Sequence, residues 1–212
     1  MKDKTKKKTL IGKNILKGEK RKMVLEVLEK VGLSPPEQFI DLYPLQLSGG
    51  QRQRVALARS IILKPEFMVA DEPVSMIDVS LRTTIIDLIL GFRKELGLTY
   101  LFVTHDLAVA KYISDRIAIM YLGKIIEMSD KESLFMKPLH PYTQALLSAI
   151  PVPDPERKRE KVELAGEVPS AIKIPPGCRF HTRCPYKSEK CPKEEPELIE
   201  VEKNHFVACL RY

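Results

Sequence analysis

Apolar positions in this chain recur with two periods, and the switches between them mark the predicted elements. Between residues 19 and 31, Val24, Val27, Leu28 and Val31 share one helical face, and Gly32 is placed to end the helix. Pro35-Pro36 breaks the pattern, and residues 37–42 read as another short helix. After Tyr43-Pro44 comes Leu47-Ser48-Gly49-Gly50-Gln51. Ser48 precedes an apolar-periodic run and Gln51 follows three residues later, a capping-box spacing that starts a helix running to about Leu63. Lys64-Pro65 punctuates, and the short apolar run 67–70 reads as a strand buried on both faces. Residues 80–96 form a long predicted helix with Leu81, Ile85, Leu88, Ile89, Phe92 and Leu96 inward and Gly97 as its cap. Residues 99–103 read as a second buried strand and Leu107–Ser114 as a short helix. Residues 116–121 and 124–128 flank Leu122-Gly123 as a hairpin. Strand, helix, strand and then hairpin predict an α/β core with an antiparallel edge.

After Phe135 the texture changes. His140-Pro141-Tyr142-Thr143 opens a helix to about Ile150. Prolines at 151, 153, 155, 169, 175 and 176 then predict an extended linker over 151–177, ahead of a tail at 178–212 that holds all four cysteines. Two domains are expected: residues 1–135, with a helical part at about 19–63 and a strand-to-hairpin part at 64–135, and residues 136–212.

Composition narrows the class. The 212 residues are 44% hydrophobic and 30% charged, values of a globular protein with room for one sizeable core. The net charge of +7 suits anionic partners without choosing among them. No run is long and apolar enough for a membrane span, and the Lys-rich start (Lys2, Lys4, Lys6, Lys7, Lys8) reads as a solvated end rather than a secretory signal. A cytoplasmic location is the expectation. In a reducing compartment, four cysteines in the last 35 residues favour a metal over disulfides.

The candidate chemistry lies at the element ends. Two glycines in a helix's first turn leave backbone N–H groups uncovered, a seat for phosphate. Asp71 and Glu72 end the first predicted strand, Asp78 follows six residues later, and His105 ends the second apolar run. Strand-end carboxylates suit Mg²⁺, which prefers hard oxygen ligands and keeps waters.

This order and spacing resemble the ATP-binding subunits of ABC transporters. In that family Leu47-Ser48-Gly49-Gly50-Gln51 matches the signature motif, the strand ending in Asp71-Glu72 matches Walker B, Ser75-Met76-Ile77-Asp78 matches the D-loop and His105 matches the H-loop. The resemblance implies ATP and Mg²⁺ as cofactors. Asp71 would hold Mg²⁺ through water, Glu72 would polarise the attacking water, His105 would contact the γ-phosphate, and Asp78 would lie at the contact between two copies. Met76 stands where the family commonly has a smaller residue. No pair of glycines is spaced for the P-loop G-x-x-x-x-G-K-S/T, and neither Gly12-Lys13 nor Gly123-Lys124 completes one. The chain therefore resembles the C-terminal part of a P-loop NTPase fold of the ABC type, a helical signature subdomain plus a parallel-sheet core. It is expected to donate a signature half-site to a partner's nucleotide without building its own.

His140-Pro141-Tyr142-Thr143, the Pro-rich stretch and the Cys-bearing tail resemble the C-terminal extension of oligopeptide and dipeptide importers. That implies a second ATPase subunit (the same chain or another), transmembrane permease subunits and, indirectly, an extracytoplasmic peptide-binding protein, with no nucleic acid and a peripheral place on the cytoplasmic membrane face. Cys178, Cys184, Cys191 and Cys209 are spaced x5, x6 and x17, neither a zinc ribbon nor a ferredoxin run. The importer resemblance tips the metal to a [4Fe–4S] cluster, with Zn²⁺ as the alternative. The tail has few large apolar residues, so a metal is expected to supply its folding energy. His181 and His205 are expected to be exposed loop histidines, with a ligand role only if zinc is bound. Two other readings stay open: a half of a DNA-repair or chromosome-type ABC ATPase, against which no heptad repeat appears, and a non-catalytic metal module with a degenerate ATPase body.

Overall fold

The computed structural model describes residues 17–75, 77–150, 164 and 166–212. The Lys-rich start, Met76 and the prolines at 151, 153 and 155 lie outside the described residues. The chain divides into two compact units, residues 1–105 and 106–212.

In the first unit, helix α1 (Lys17–Lys30) ends where Gly32 takes a φ of +74°, and Leu28 and Val31 are buried. The expected short helix at 37–42 is reduced to one 3-10 turn, Pro36–Gln38, followed by isolated turn hydrogen bonds such as Leu42 N–H to Phe39 O at 3.2 Å. Helix α2 (Gly49–Ile61) begins as its sequence dictates. Ser48 Oγ accepts from the Gln51 N–H at 3.3 Å, and Gln51 Oε1 accepts from the Ser48 N–H at 2.9 Å. Arg54, on α2, donates to Gly32 O at 2.9 Å, so its guanidinium satisfies a carbonyl just past the end of α1.

Strand β1 (Phe67–Asp71), helix α3 (Val79–Leu96) and strand β2 (Thr99–Val103) make a β–α–β unit with β1 and β2 parallel in a two-stranded sheet. Gly97 caps α3 at a φ of +65°. Ile85, Ile86, Ile89 and Phe92 are its buried residues, while Leu81, Leu88 and Leu96 are half-buried; the buried stripe includes Ile86, which the sequence pattern did not select. Burial of both strands on both faces is not observed. Phe67, Val69, Leu101 and Val103 share one face through the register Phe67↔Thr99, Val69↔Leu101 and Asp71↔Val103, and they are 44–56% exposed. Each strand has a single neighbour among the described residues, and only the face carrying Met68 is covered.

In the second unit, helix α4 (Leu107–Ile113) leads into the hairpin of β3 (Arg116–Tyr121) and β4 (Lys124–Asp130). Leu122 and Gly123 both have positive φ, 44° and 79°, which matches the twist of a two-residue turn to that of the strands. Register slips between Ile119 and Met120, leaving Ile126 as an extra residue opposite them. This bulge turns two consecutive residues, Ile126 and Glu127, inward. Helix α5 (Lys131–Met136), absent from the sequence expectation, starts with Asp130 accepting from the Ser133 N–H at 2.9 Å. Helix α6 (Pro141–Ser148) starts at His140, whose Nδ1 accepts from the Tyr142 N–H at 3.0 Å.

The tail is not a loop held by chemistry alone. Strands β5 (Ile199–Glu202) and β6 (His205–Val207) extend the hairpin to a four-stranded antiparallel sheet ordered β3-β4-β6-β5. Phe180 is buried against Ile117, Ile119, Tyr121, Ile126 and Leu134, and it packs 5.3 Å from Tyr121 and 5.5 Å from both His140 and Tyr142. Burying one such ring contributes on the order of 2 kcal/mol. The expectation that the tail lacks a core is thus corrected: it borrows one from the hairpin and α6.

Candidate functional site

The first unit brings Glu72 and His105 together at the C-terminal ends of β1 and β2, where His105 Nδ1 lies 3.1 Å from Glu72 Oε1. Both side chains are exposed, His105 at 76% and Glu72 at 46%. The Glu72 backbone sits at a φ of +44°, a region non-glycine residues rarely adopt. Three hydrogen bonds hold it there: its N–H donates to Val103 O at 2.9 Å, and its carbonyl accepts from the Ser75 N–H at 3.1 Å and from Ser75 Oγ at 2.8 Å. The turn therefore aims the carboxylate off the strand end beside His105. Asp71 is exposed at the last paired position, opposite Val103. Asp78 is the N-cap residue of α3 without a side-chain capping bond, and it is exposed.

The signature turn is a separate feature of the same unit. No hydrogen bond or ion pair joins Ser48–Gln51 to Asp71, Glu72 or His105 among the described residues. One link fixes the two parts: Gln53 Nε2, one turn into α2, donates to Pro73 O at 2.8 Å. Sequence reading passed over Gln53 and Arg54 because both look like solvated polar positions of an amphipathic helix. A Cβ on Gly49 would meet nothing within 4 Å, and one on Gly50 would touch only Leu81 Cδ1, at 3.0 Å. Glycine in a helix costs up to about 1 kcal/mol relative to alanine. Nothing in this chain's own packing requires it at Gly49, so the first turn is open to an approaching group.

In the second unit, Cys178, Cys184, Cys191 and Cys209 form no disulfide. Burial raises the thiol pKa of Cys178, Cys184 and Cys209, and negative charge on the other cysteines raises each further. Among the described residues, no group of three or more Cys, His, Asp or Glu side chains is gathered closely enough to hold a metal ion. The backbone around them is nonetheless tightly set. The Cys178 N–H donates to Cys191 O at 2.8 Å, and Ser188 N–H and Oγ lie 3.4 and 3.2 Å from Cys191 Sγ. Arg179 donates to Leu122 O and pairs with Glu195 at 3.6 Å, pinning this loop to the hairpin turn.

Gly177 makes the close approach possible. It has a φ of +66°, and a Cβ there would run into the Cys191 carbonyl oxygen and stand 2.6 Å from the Pro192 carbonyl carbon. Gly177→Ala is therefore expected to break the Cys178–Cys191 hydrogen bond and destabilise the second unit by about 2–4 kcal/mol. Thermal or urea unfolding checks this, and an unchanged midpoint would remove the steric role.

The two histidines of the tail are not exposed loop residues. His181 is buried and its Nδ1 lies 2.8 Å from Cys178 O. His205 is fully buried, with Nε2 2.8 Å from Glu127 Oε1. Glu127 was missed by sequence reading. Its one signal was a lone carboxylate in the apolar run 125–128.

Residues 2–75 match the family model described as ABC transporter, and residues 126–191 match that described as oligopeptide/dipeptide transporter, C-terminal region. The oligopeptide transport ATP-binding protein AppF of Bacillus subtilis is 49% identical over 196 residues, covering 92% of this chain and 59% of AppF. The chain belongs to the ABC transporter family, in its oligopeptide/dipeptide branch. A second Bacillus subtilis member named for oligopeptide transport, YkfD, is 51% identical over 192 residues, covering 90% of this chain and 58% of YkfD. The chain thus spans a little under three-fifths of the length of these ABC relatives. A solved dimer of the ATP-binding cassette MJ0796, in a post-hydrolysis state bound to ADP and Pi, is 34% identical with a TM-score of 0.51. That match covers 57% of this chain and 50% of the other. The α/β ABC ATPase fold expected from the motifs is the fold observed. No described helix is long and apolar enough to cross a membrane.

Proposed function

We propose that this chain carries the signature and hydrolytic residues of an ATPase subunit that powers import of di- or oligopeptides. The observation that carries the reading is the combination, in one unit, of a capped helix whose Gly49-Gly50 turn is open and a Glu72–His105 pair at the ends of parallel strands. In this reading Leu47 and Gln51 frame the turn. Ser48, Gly49 and Gly50 present N–H and hydroxyl groups to the phosphates of ATP held by a second subunit. Asp71 holds Mg²⁺ through water. Glu72 takes a proton from the attacking water, and His105, bonded to it, orients the γ-phosphate. Asp78 stands at the contact between subunits. The names of the relatives support ATP and peptides as ligands, and the absence of any membrane-crossing described helix is consistent with a peripheral place on the cytoplasmic membrane face, against permease subunits. An extracytoplasmic peptide-binding protein would choose the cargo; nucleic acid has no role. By function we divide the chain into a signature-bearing body to about residue 135 and an importer-type extension beyond it, although the β3–β4 hairpin folds with the extension in the second unit.

The extension is proposed to hold one metal centre through Cys178, Cys184, Cys191 and Cys209, a [4Fe–4S] cluster rather than Zn²⁺. Four free cysteines in one unit support this reading by their donor chemistry and not by their geometry, since the described side chains are not gathered around one point, and a bound cation would offset the burial that disfavours the thiolates of Cys178, Cys184 and Cys209. A cluster there supplies a structural cross-link.

Two measurements test this. The 212 residues contain no P-loop, so purified protein is expected to show no Glu72-dependent ATP turnover. Joined to a segment that supplies a P-loop, it is expected to turn ATP over; no turnover by the joined protein would overturn the assignment. Anaerobically purified protein is expected to contain iron and sulfide, whereas colourless protein with stoichiometric zinc would reject the cluster.

A further inference from the structure

Three of the four cysteines lie in one stretch that closes on itself. The Cys178 N–H donates to Cys191 O, the His181 N–H to Cys178 O at 2.9 Å, and the Cys191 N–H to Ser188 O at 3.2 Å. Cys209 comes later, after β6, and none of that stretch's own hydrogen bonds reaches it among the described residues.

What holds Cys209 is a pair of tethers that meet at one peptide. Four residues before it, His205 Nε2 donates to Glu127 Oε1 at 2.8 Å. The same oxygen accepts from the Leu139 N–H at 2.7 Å, and Oε2 accepts from the His140 N–H at 2.8 Å. Three residues after it, the Tyr212 hydroxyl donates to Leu139 O at 3.4 Å. Between the tethers, the Ala208 N–H donates to Ile126 O at 2.8 Å, and Val207 stands opposite Glu127 in the sheet. Glu127 and His205 are fully buried. A buried carboxylate with three donors is well satisfied, and removing one donor leaves it short, so its partners hold their places strictly.

We propose that Glu127 and His205 are positioning residues for the fourth thiol: they lock β6 to the start of α6 so that Cys209 faces the Cys178–Cys191 stretch. What that thiol is for rests on the metal reading above; the positioning itself does not. Neither residue is among the four proposed ligands. The bulge at Ile126 is what makes the arrangement possible, since regular alternation would turn Glu127 out when Ile126 points in.

The test is alkylation of the full chain as purified under reducing conditions, followed cysteine by cysteine with mass spectrometry. His205→Leu is expected to raise the rate at Cys209 about tenfold relative to the other three, and His205→Gln, which keeps a donor near Nε2, to restore protection. Equal acceleration of all four cysteines, or none, would overturn the proposal. If His205→Leu does not fold, Tyr212→Phe removes only the second tether, at the surface, and is expected to give a smaller acceleration confined to Cys209; unchanged Cys209 would again overturn it. Iron analysis separates the two readings. Wild type with four irons and His205→Leu with a three-iron electron paramagnetic resonance signature supports both. Wild type without iron sinks the metal reading and leaves the alkylation result standing, while four irons in both proteins overturns the positioning role.

Discussion

Glu72→Gln, made in the chain joined to a P-loop-bearing segment, is expected to lower ATP turnover about 10²–10⁴-fold while ATP binding is retained. Glutamine keeps the size of the side chain and an acceptor for His105, but it cannot take a proton. The backbone supports the assignment to Glu72 rather than to Asp71. Glu72 is the residue forced to a φ of +44°, held by Val103 and Ser75, and bonded to His105 at 3.1 Å. Such strained backbone is kept where the surroundings over-determine it, as three hydrogen bonds do here. Steady-state turnover with nucleotide binding measured in parallel checks this. Near-normal turnover by Glu72→Gln would move the base elsewhere, and loss of binding along with turnover would make Glu72 a structural residue.

The second unit is expected to lose stability as pH falls below neutral, and His140 is the reason. Burial lowers its pKa from 6.5 to about 4. The geometry agrees, since Nδ1 accepts the Tyr142 N–H and so must be unprotonated, and the ring packs against Phe180. The folded pKa is depressed, so the stabilising contribution is present above about 6.5 and is lost as pH falls towards 4. A shift of this size corresponds to about 3 kcal/mol over the whole window, and about 2 kcal/mol is gone by pH 5. His140→Asn keeps a capping oxygen and removes the titration. The difference between wild type and His140→Asn in urea unfolding isolates the effect, because the lowered carboxylates Asp130, Glu195 and Glu202 titrate alike in both proteins. Parallel pH profiles for the two proteins would show that His140 does not carry the dependence.

The longer helices and the β–α–β order were legible because their signals are local. The Ser48–Gln51 box, Gly32 and Gly97 act through the residues next to them, and each ended or began a helix where expected. The Glu72–His105 pair was foreseen as two residues at two strand ends, and parallel pairing of β1 with β2 is what joins them. Apart from helix α5, whose Asp130 cap is local, the misses are long-range. Apolar runs at 67–70 and 99–103 announce covered strands, but a run does not say how many neighbours its strand has. Glu127 and His205 each look ordinary in sequence. Only the bulge at Ile126 and the pairing of β6 with β4 make them partners. The tail was judged by its own few apolar residues, whereas its core is Phe180 set among residues of the hairpin and α6.

The claim at the centre of this account is that the Gly49-Gly50 turn seats a phosphate held by another subunit. Gly49 isolates it, because a Cβ there meets nothing within 4 Å among the described residues and the substitution replaces a poor helix former with a good one. The direct measurement is sedimentation of the joined Glu72→Gln protein with Mg²⁺ and ATP, with and without Gly49→Leu. An ATP-dependent dimer is expected, which Gly49→Leu abolishes while raising or preserving the thermal midpoint of the first unit. An ATP-dependent dimer that forms equally well with Gly49→Leu would contradict that claim.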